Sequence, residues 1–217
     1  SFPTRRSSDL IGMSPFLMNL AACFIVIIIN QGLKKYGGDL AIGAFGIVNR
    51  LVFIVVMIVM GLNQGMQPIA GYNFGAKLYG RVNKVLRLTI IYATAVTTFG
   101  FLVGMLVPDL VVGIFTSDAE LTELSVTGLR ITVMFFPIIG FQMVTSNFFQ
   151  SIGMAGKAIF LSLTRQMLIL LPCLLVLPQF FGVAGVWYSM PVSDLLASLI
   201  ALVMLVCQFR KFRTSPL

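Results

Sequence analysis

The sequence contains no histidine and little charge. Only 10% of its 217 residues are Asp, Glu, Lys or Arg, whereas a soluble domain carries about 25%. Its three cysteines, Cys23, Cys173 and Cys207, lie inside apolar segments without the spacing of a metal motif. A histidine-based triad and a Cys/His metal site are therefore excluded. We expect no enzyme activity and no cofactor.

Hydrophobic residues make up 58% of the chain, and the mean hydropathy is +0.99. A chain with this little charge cannot cover itself with a water-facing surface. Much of its outer surface must therefore face a lipid bilayer. Apolar runs such as residues 51–60 (LVFIVVMIVM) are continuous, whereas a barrel strand alternates apolar and polar residues. The sequence therefore predicts an all-α membrane protein.

A membrane-spanning helix needs about 20 mainly apolar residues. Six segments meet this requirement: 14–33, 40–64, 85–107, 128–152, 158–177 and 183–209. The polar residues 1–10 (SFPTRRSSDL) match nothing that follows, and we interpret them as a non-native leader. Residues 11–217 then form the native part, which we expect to be a fragment without its natural beginning.

Basic and acidic residues fall in alternate connections. Lys and Arg follow the second and sixth segments and lie between the fourth and fifth, whereas four acids lie between the third and fourth. The positive-inside rule places the basic connections, and with them both termini, in the cytoplasm. This topology also accounts for the net charge of +8, so we expect no nucleic-acid partner. Ser117 or Asp118 is expected to cap a short helix in the acidic connection.

Polar side chains inside a membrane segment are functional candidates. They recur three and four residues apart in the second and fourth segments, which puts them on one face of each helix. Such a stripe either joins helices or lines a path for substrate and ions. Its main candidates are Asn49, Arg50, Gln64, Gln67, Gln142 and Asn147.

Asp194 is the one carboxylate deep inside a predicted span. An unpaired charge there costs at least about 2.5–3.5 kcal/mol, so we expect a partner. Arg165 on the preceding span is one candidate, and Arg50 is another. The pair is either a structural ion pair or a site that couples transport to a proton or cation.

Glycines and Pro68 interrupt the segment 61–77 (GLNQGMQPIAGYNFGAK). This pattern predicts a broken helix, which is tolerated at membrane depth only beside protein or a water-filled cavity. The segment resembles the helix-end motif of the multidrug and toxic compound extrusion (MATE) transporters, most of all their bacterial MepA-like branch. Residues 147–166 (NFFQSIGMAGKAIFLSLTRQ) and 185–197 (GVWYSMPVSDLLA) resemble later segments of the same family.

The resemblance runs from about residue 11 to the C-terminus and implies the C-terminal six-helix lobe of a twelve-helix transporter. It implies export of cationic, amphipathic drugs from the bacterial inner (plasma) membrane in exchange for protons or sodium. The missing partner is then an N-terminal six-helix lobe. Some members carry a coupling carboxylate in the first or fourth helix of this lobe. Neither helix has one here, which favours coupling through acids of the missing lobe.

Two alternatives remain open at the level of the sequence. A lipid-linked-oligosaccharide flippase of the same superfamily would need a more basic cavity, for which Arg50 alone is thin support. A structural membrane protein without a transported substrate would have to be stable on its own.

Overall fold

The computed structural model describes the backbone of residues 5–214 and the side chains of residues 19–208. The regular elements in this part of the chain are helices, and it contains no strand. The predicted all-α class is confirmed. The leader assigned to residues 1–10 stays a prediction, because residues 1–4 lie outside the described part and residues 5–10 begin the first helix.

The first helical stretch, α1, covers Arg5–Gly75 and is broken at Gly38. Gly38 has φ 68° and ψ −163°, a conformation that side chains with a Cβ rarely adopt. Val26 and Val56 line the same cavity, although a straight helix would hold them about 45 Å apart. The chain therefore folds back at Gly38, which divides α1 into a first limb (residues 5–37) and a second limb (residues 39–75).

The second limb does not end near residue 64, and the predicted break over 61–77 is wrong. The helix continues through Pro68 to Gly75. Pro68 is exposed, and it removes only one backbone hydrogen bond. Met66 and Ala70 lie on the opposite side of the helix and are fully buried. Their packing holds the helix together across the proline.

Helix α2 covers Tyr79–Leu106 and begins six residues before the predicted start at residue 85. Arg81 and Lys84 therefore lie within a helix and not in a connection. Hydropathy marks only the part of a helix that crosses the bilayer, whereas Lys and Arg are good helix formers beyond it. Lys77, in the preceding turn, has a positive φ of 58°.

The predicted fourth helix, 128–152, is bent. A short helix α3 (Pro108–Gly113) leads to α4 (Ala119–Val133), and α5 (Phe136–Ser151) follows at an angle of 55°. Pro137 cannot donate to the carbonyl of Val133 four residues earlier, so α4 stops there. Asp118 is confirmed as the N-cap of α4, because its Oδ1 accepts a hydrogen bond from the Leu121 amide at 2.9 Å.

The predicted fifth helix, 158–177, has three parts. Helix α6 (Ala155–Leu163) runs into a π-helical segment (Thr164–Leu170) and then into α7 (Leu171–Phe181). The Leu171 amide donates to the carbonyl of Gln166, five residues back. Pro172, which has no amide hydrogen, follows directly. The last helix, α8, covers Val183–Thr214 and begins where predicted.

Among the described residues, four helical stretches have the length and hydropathy to cross a membrane, and α4 with α5 adds a fifth as one bent span. One of the four, Asn19–Gly75, contains the first limb of α1 from residue 19 onwards and the whole second limb. The count of six spans and the cytoplasmic termini stay predictions. Two clusters of buried apolar side chains hold the described helices together, one around Leu33, Phe45 and Trp187, and one around Met66 and Phe148. The candidate site lies beside the first cluster.

Candidate functional site: a cavity beside a buried ion pair

Asp194 of α8 faces Arg165 of the π-helical segment. The Arg165 Nε donates to Oδ1 of Asp194 at 2.7 Å, and Nη2 lies 2.6 Å from the same oxygen. The side chain of Asp194 is 6% exposed, and that of Arg165 is 34% exposed. Of the two partners considered from the sequence, Arg165 makes this contact, whereas Arg50 is exposed on the second limb.

The local structure of α8 makes Asp194 depend on the arginine. Ser189, Ser193 and Ser198 are buried on the same helix, but each hydroxyl donates to a carbonyl of α8 itself, at 2.6–2.7 Å. Such bonds to the preceding turn are a common way to satisfy a hydroxyl in a helix. These three hydroxyls therefore give the carboxylate no donor. The charge of Asp194 is balanced by Arg165.

The ion pair forms one wall of a cavity of about 250 Å³. Both limbs of α1, α4, α5, the π-helical segment and α8 contribute to this central cavity. Most of its lining is aliphatic or aromatic. Its polar lining consists of Asn49, Thr132, Arg165, Ser193 and Asp194. The geometry suits a ligand with an apolar body and one polar or cationic group.

The polar residues that were predicted to line a substrate path lie in different environments. Gln67 and Asn147 contact each other, because Nε2 of Gln67 donates to Oδ1 of Asn147 at 3.2 Å. The Asn147 amide also donates to the carbonyl of Met143 at 2.9 Å. Ser146 and Ser162 approach each other at 3.3 Å between their hydroxyl oxygens. These residues join the second limb to α5, and α5 to α6.

The remaining members of the stripe are spread out. Asn49 lines the central cavity. Arg50 and Gln64 are exposed, and neither contributes to that cavity. The structure therefore brings Asn49 together with Arg165 and Asp194, and it separates them from the Gln67–Asn147 contact.

Gln142 is buried, and its Oε1 has no hydrogen-bond partner. Gln166, in the π-helical segment, also has an Oε1 without a partner. A buried acceptor without a donor is costly.

Sequence reasoning missed some polar residues of the interior. Thr132 and Ser193 line the central cavity. Hydroxyl residues in membrane helices are too common to single out by pattern, and only the shared cavity identifies them. Asn63 on the second limb is 2% exposed, and both atoms of its amide group lack a partner. Its place in the helical stripe was visible from the sequence, but its burial was not.

A second cavity, of about 230 Å³, lies between the second limb, α2 and α4, and its lining is entirely apolar apart from the backbone. Gly100 and Gly104 allow the close approach, because a Cβ on either would lie 2.9–3.1 Å from Val55 or Val133. No polar side chain there would orient a ligand. This apolar cavity is therefore a weaker candidate site than the central one.

Comparison with known proteins agrees with this architecture. The family model described as MatE matches residues 15–175. The multidrug export protein MepA of Staphylococcus aureus (strain MSSA476) is 29% identical over 192 residues, which is 88% of this chain and 42% of MepA. MepA of Staphylococcus saprophyticus is 24% identical over the same length. The chain thus spans less than half the length of the curated relatives it matches.

Solved structures show the same relationship. The MATE multidrug transporter DinF-BH, determined in complex with R6G, is 35% identical, with a TM-score of 0.84 over 97% of this chain and 47% of that one. An outward-facing multidrug resistance MATE family transporter of the MOP superfamily shares the fold at 19% identity, with a TM-score of 0.89 over 98% and 49%. The family match covers most of the chain, and the helices superpose on half of a transporter. The chain therefore belongs to the MatE family of membrane transport proteins.

Proposed function

We propose that this chain is the C-terminal lobe of a secondary active multidrug efflux antiporter, which exports cationic amphipathic compounds in exchange for protons or sodium. The observation that carries the proposal is the central cavity, where apolar walls surround the Arg165–Asp194 pair and Arg165 contacts only Oδ1 of the carboxylate. An apolar wall binds the body of an amphipathic compound, and the second carboxylate oxygen would accept a hydrogen bond from its cationic group. Membership of a family of transporters supports this reading.

The missing half is proposed to be an N-terminal six-helix lobe. The matched relatives are more than twice as long as the aligned part, which supports such a partner. Much of the surface of this chain is apolar and exposed, so lipid and the second lobe would share it. Arg50 and Gln64 are exposed and would meet lipid headgroups, water or the other lobe.

We assign Arg165 and Asp194 a structural role first. Both guanidinium contacts reach Oδ1, and the pair fastens the π-helical segment to α8. Coupling then rests on acids outside residues 11–217. Asn49 and Gln142 are proposed to orient substrate within the lobe, whereas Gln67 and Asn147 hold its helices together.

The test is ethidium efflux from energised bacterial cells that express this lobe fused to the N-terminal lobe encoded upstream of it. Efflux that stops on addition of a proton uncoupler supports a proton-coupled antiporter. Efflux that persists with the uncoupler but requires sodium supports sodium coupling. A well-folded fusion in the membrane without either activity would contradict the antiporter and leave the flippase or a structural role.

Residues 11–217 expressed alone serve as the control. We expect no drug efflux from them, because the substrate path of a two-lobe transporter runs between its lobes. Drug resistance in cells that express only residues 11–217 would show that one lobe suffices. That result would contradict the proposal that transport requires both lobes.

A further inference from the structure

The face of α2 that points away from the protein begins with three cations. The buried residues Val82, Leu86 and Ala93 lie on one side of the helix. At 100° per residue, Arg81, Lys84 and Arg87 cover an arc of about 120° centred on the opposite side. All three are exposed. They therefore project outwards together and not towards the helices that pack against α2.

These cations have no acidic neighbours in the described part of the chain. Asp109 lies in α3, beyond the far end of α2, and Asp118, Glu120 and Glu123 lie at or near the start of α4. Asp39 follows the break of α1 and lies near the same end, because Gly43 approaches Leu121 of α4. A helix of 28 residues is about 42 Å long. The cations at its start are thus a bilayer's thickness away from these acids.

Beyond the cations the same face of α2 becomes apolar. Its exposed side chains include Leu88, Ile91, Tyr92, Phe99, Leu102 and Leu106. Arg81 and Arg87 are separated by about 9 Å along the helix, so the cations occupy one narrow band. A band of positive charge followed by hydrocarbon matches the order of headgroup and acyl chains in one leaflet. Lys77, also exposed, adds a fourth cation just before the helix.

We propose that Arg81, Lys84 and Arg87 form a binding site for the headgroup of an anionic phospholipid, whose acyl chains lie along the apolar face of α2. The lipid phosphate supplies the negative charge that no acidic side chain among residues 19–208 provides at this end of the helix. The proposal concerns a surface that faces outwards from the lobe, so it does not depend on the transport function.

Native mass spectrometry of the purified 217-residue chain in detergent tests the proposal. Phosphatidylglycerol is titrated against phosphatidylcholine with the same acyl chains. We expect preferential retention of phosphatidylglycerol. The triple variant Arg81→Gln, Lys84→Gln, Arg87→Gln is expected to bind it about a hundredfold more weakly, or about fivefold for each cation. Equal binding of both lipids, or unchanged binding by this variant, would overturn the proposal.

The matched control, Lys34→Gln, Lys35→Gln, Arg130→Gln, removes three exposed cations elsewhere and should keep the preference. Replacing Arg81 and Arg87 by lysine keeps the charge and should retain most of the binding. Near-ultraviolet circular dichroism of Trp187 reports whether each variant is folded. If the triple glutamine variant is unfolded, the single variants Arg81→Lys and Arg81→Gln are compared, because they change the same position and only the first keeps the charge. Weaker binding by Arg81→Gln than by Arg81→Lys supports the proposal, and equal binding overturns it.

Inorganic phosphate distinguishes a lipid from a soluble anion. Millimolar phosphate should leave bound phosphatidylglycerol in place, because the acyl chains contribute to binding. Complete displacement by phosphate would show an anion site without a lipid-specific surface, and this would contradict the proposal.

Discussion

Arg165 binds Asp194 from one side only. Its Nε and Nη2 both approach Oδ1, at 2.7 and 2.6 Å. A fork-to-fork pair would engage both carboxylate oxygens. In this arrangement Oδ2 receives no hydrogen bond from Arg165, and the carboxylate lines the central cavity. Oδ1 of Asp194 is therefore occupied by Arg165 of the π-helical segment, whereas Oδ2 is available to a ligand.

Replacement of Asp194 by asparagine should destabilise the lobe. The change leaves the partly buried guanidinium of Arg165 without its counter-charge, at a cost of about 1–3 kcal/mol after allowance for its exposure. Unfolding in mixed detergent–SDS micelles measures the loss. The double variant Asp194→Asn, Arg165→Gln should lose less than the sum of the single changes. Full additivity would show that the two side chains do not stabilise each other.

The amide contact between Gln67 and Asn147 should contribute modestly. A double-mutant cycle with alanine is expected to give a coupling energy of about 0.6 kcal/mol, which is typical of polar contacts between membrane helices. SDS-induced unfolding of the two single variants and the double variant measures it. Gln64→Ala, one turn away and exposed, is the matched control and should change stability little. A coupling energy of zero would show that this contact does not stabilise the helix interface.

Gly38 should not tolerate a side chain. Its φ of 68° and ψ of −163° are strained for any residue with a Cβ, so Gly38→Ala should cost about 1–3 kcal/mol. Gly61 lies in regular helix with open space at the Cβ position, and Gly61→Ala should stabilise the helix by up to about 1 kcal/mol. Thermal unfolding in detergent compares the two. If both substitutions change the stability in the same direction, the positive φ at Gly38 is not required for the chain to fold back there.

Gly140 permits α5 to lie against α2. A Cβ there would be 2.7 Å from Oγ1 of Thr97 and 2.9 Å from the carbonyl oxygen of Ala93. Because the second atom is backbone, Gly140→Ala should force the helices apart and cost about 1–3 kcal/mol. Gly65→Ala, in open space, is the control. Equal stability of the two variants would show that the contact with α2 is loose.

The sequence predicts where the chain is apolar better than where its helices end. Continuous apolar runs identify the spans, but Arg81 and Lys84 belong to α2 although they are charged. Two prolines have opposite effects: the helix bends at Pro137, whereas it continues through Pro68. Which outcome occurs depends on packing against neighbouring helices, and a single sequence does not reveal that packing.

The candidate site shows the same division. A lone carboxylate in a span requires a charged partner, so the cost of burial predicts from the sequence that Asp194 is paired, with Arg165 or Arg50. The structure is needed to select Arg165. The contact of Gln67 with Asn147 needs the parallel register of two helices that are 80 residues apart. Thr132 and Ser193 become recognisable only when the bent helices enclose a common cavity.

The π-helical segment adjusts the rotation of one half of a span relative to the other. A turn closed over five residues, as between Gln166 and Leu171, holds one more residue than an α-helical turn. The side chains of α7 are thereby rotated about the helix axis relative to those of α6. Arg165 lies inside this segment, so its direction towards Asp194 depends on the widened turn. A deletion of one residue between 167 and 170 would thus return the turn to α-helical length and change the rotation of α7 relative to Arg165.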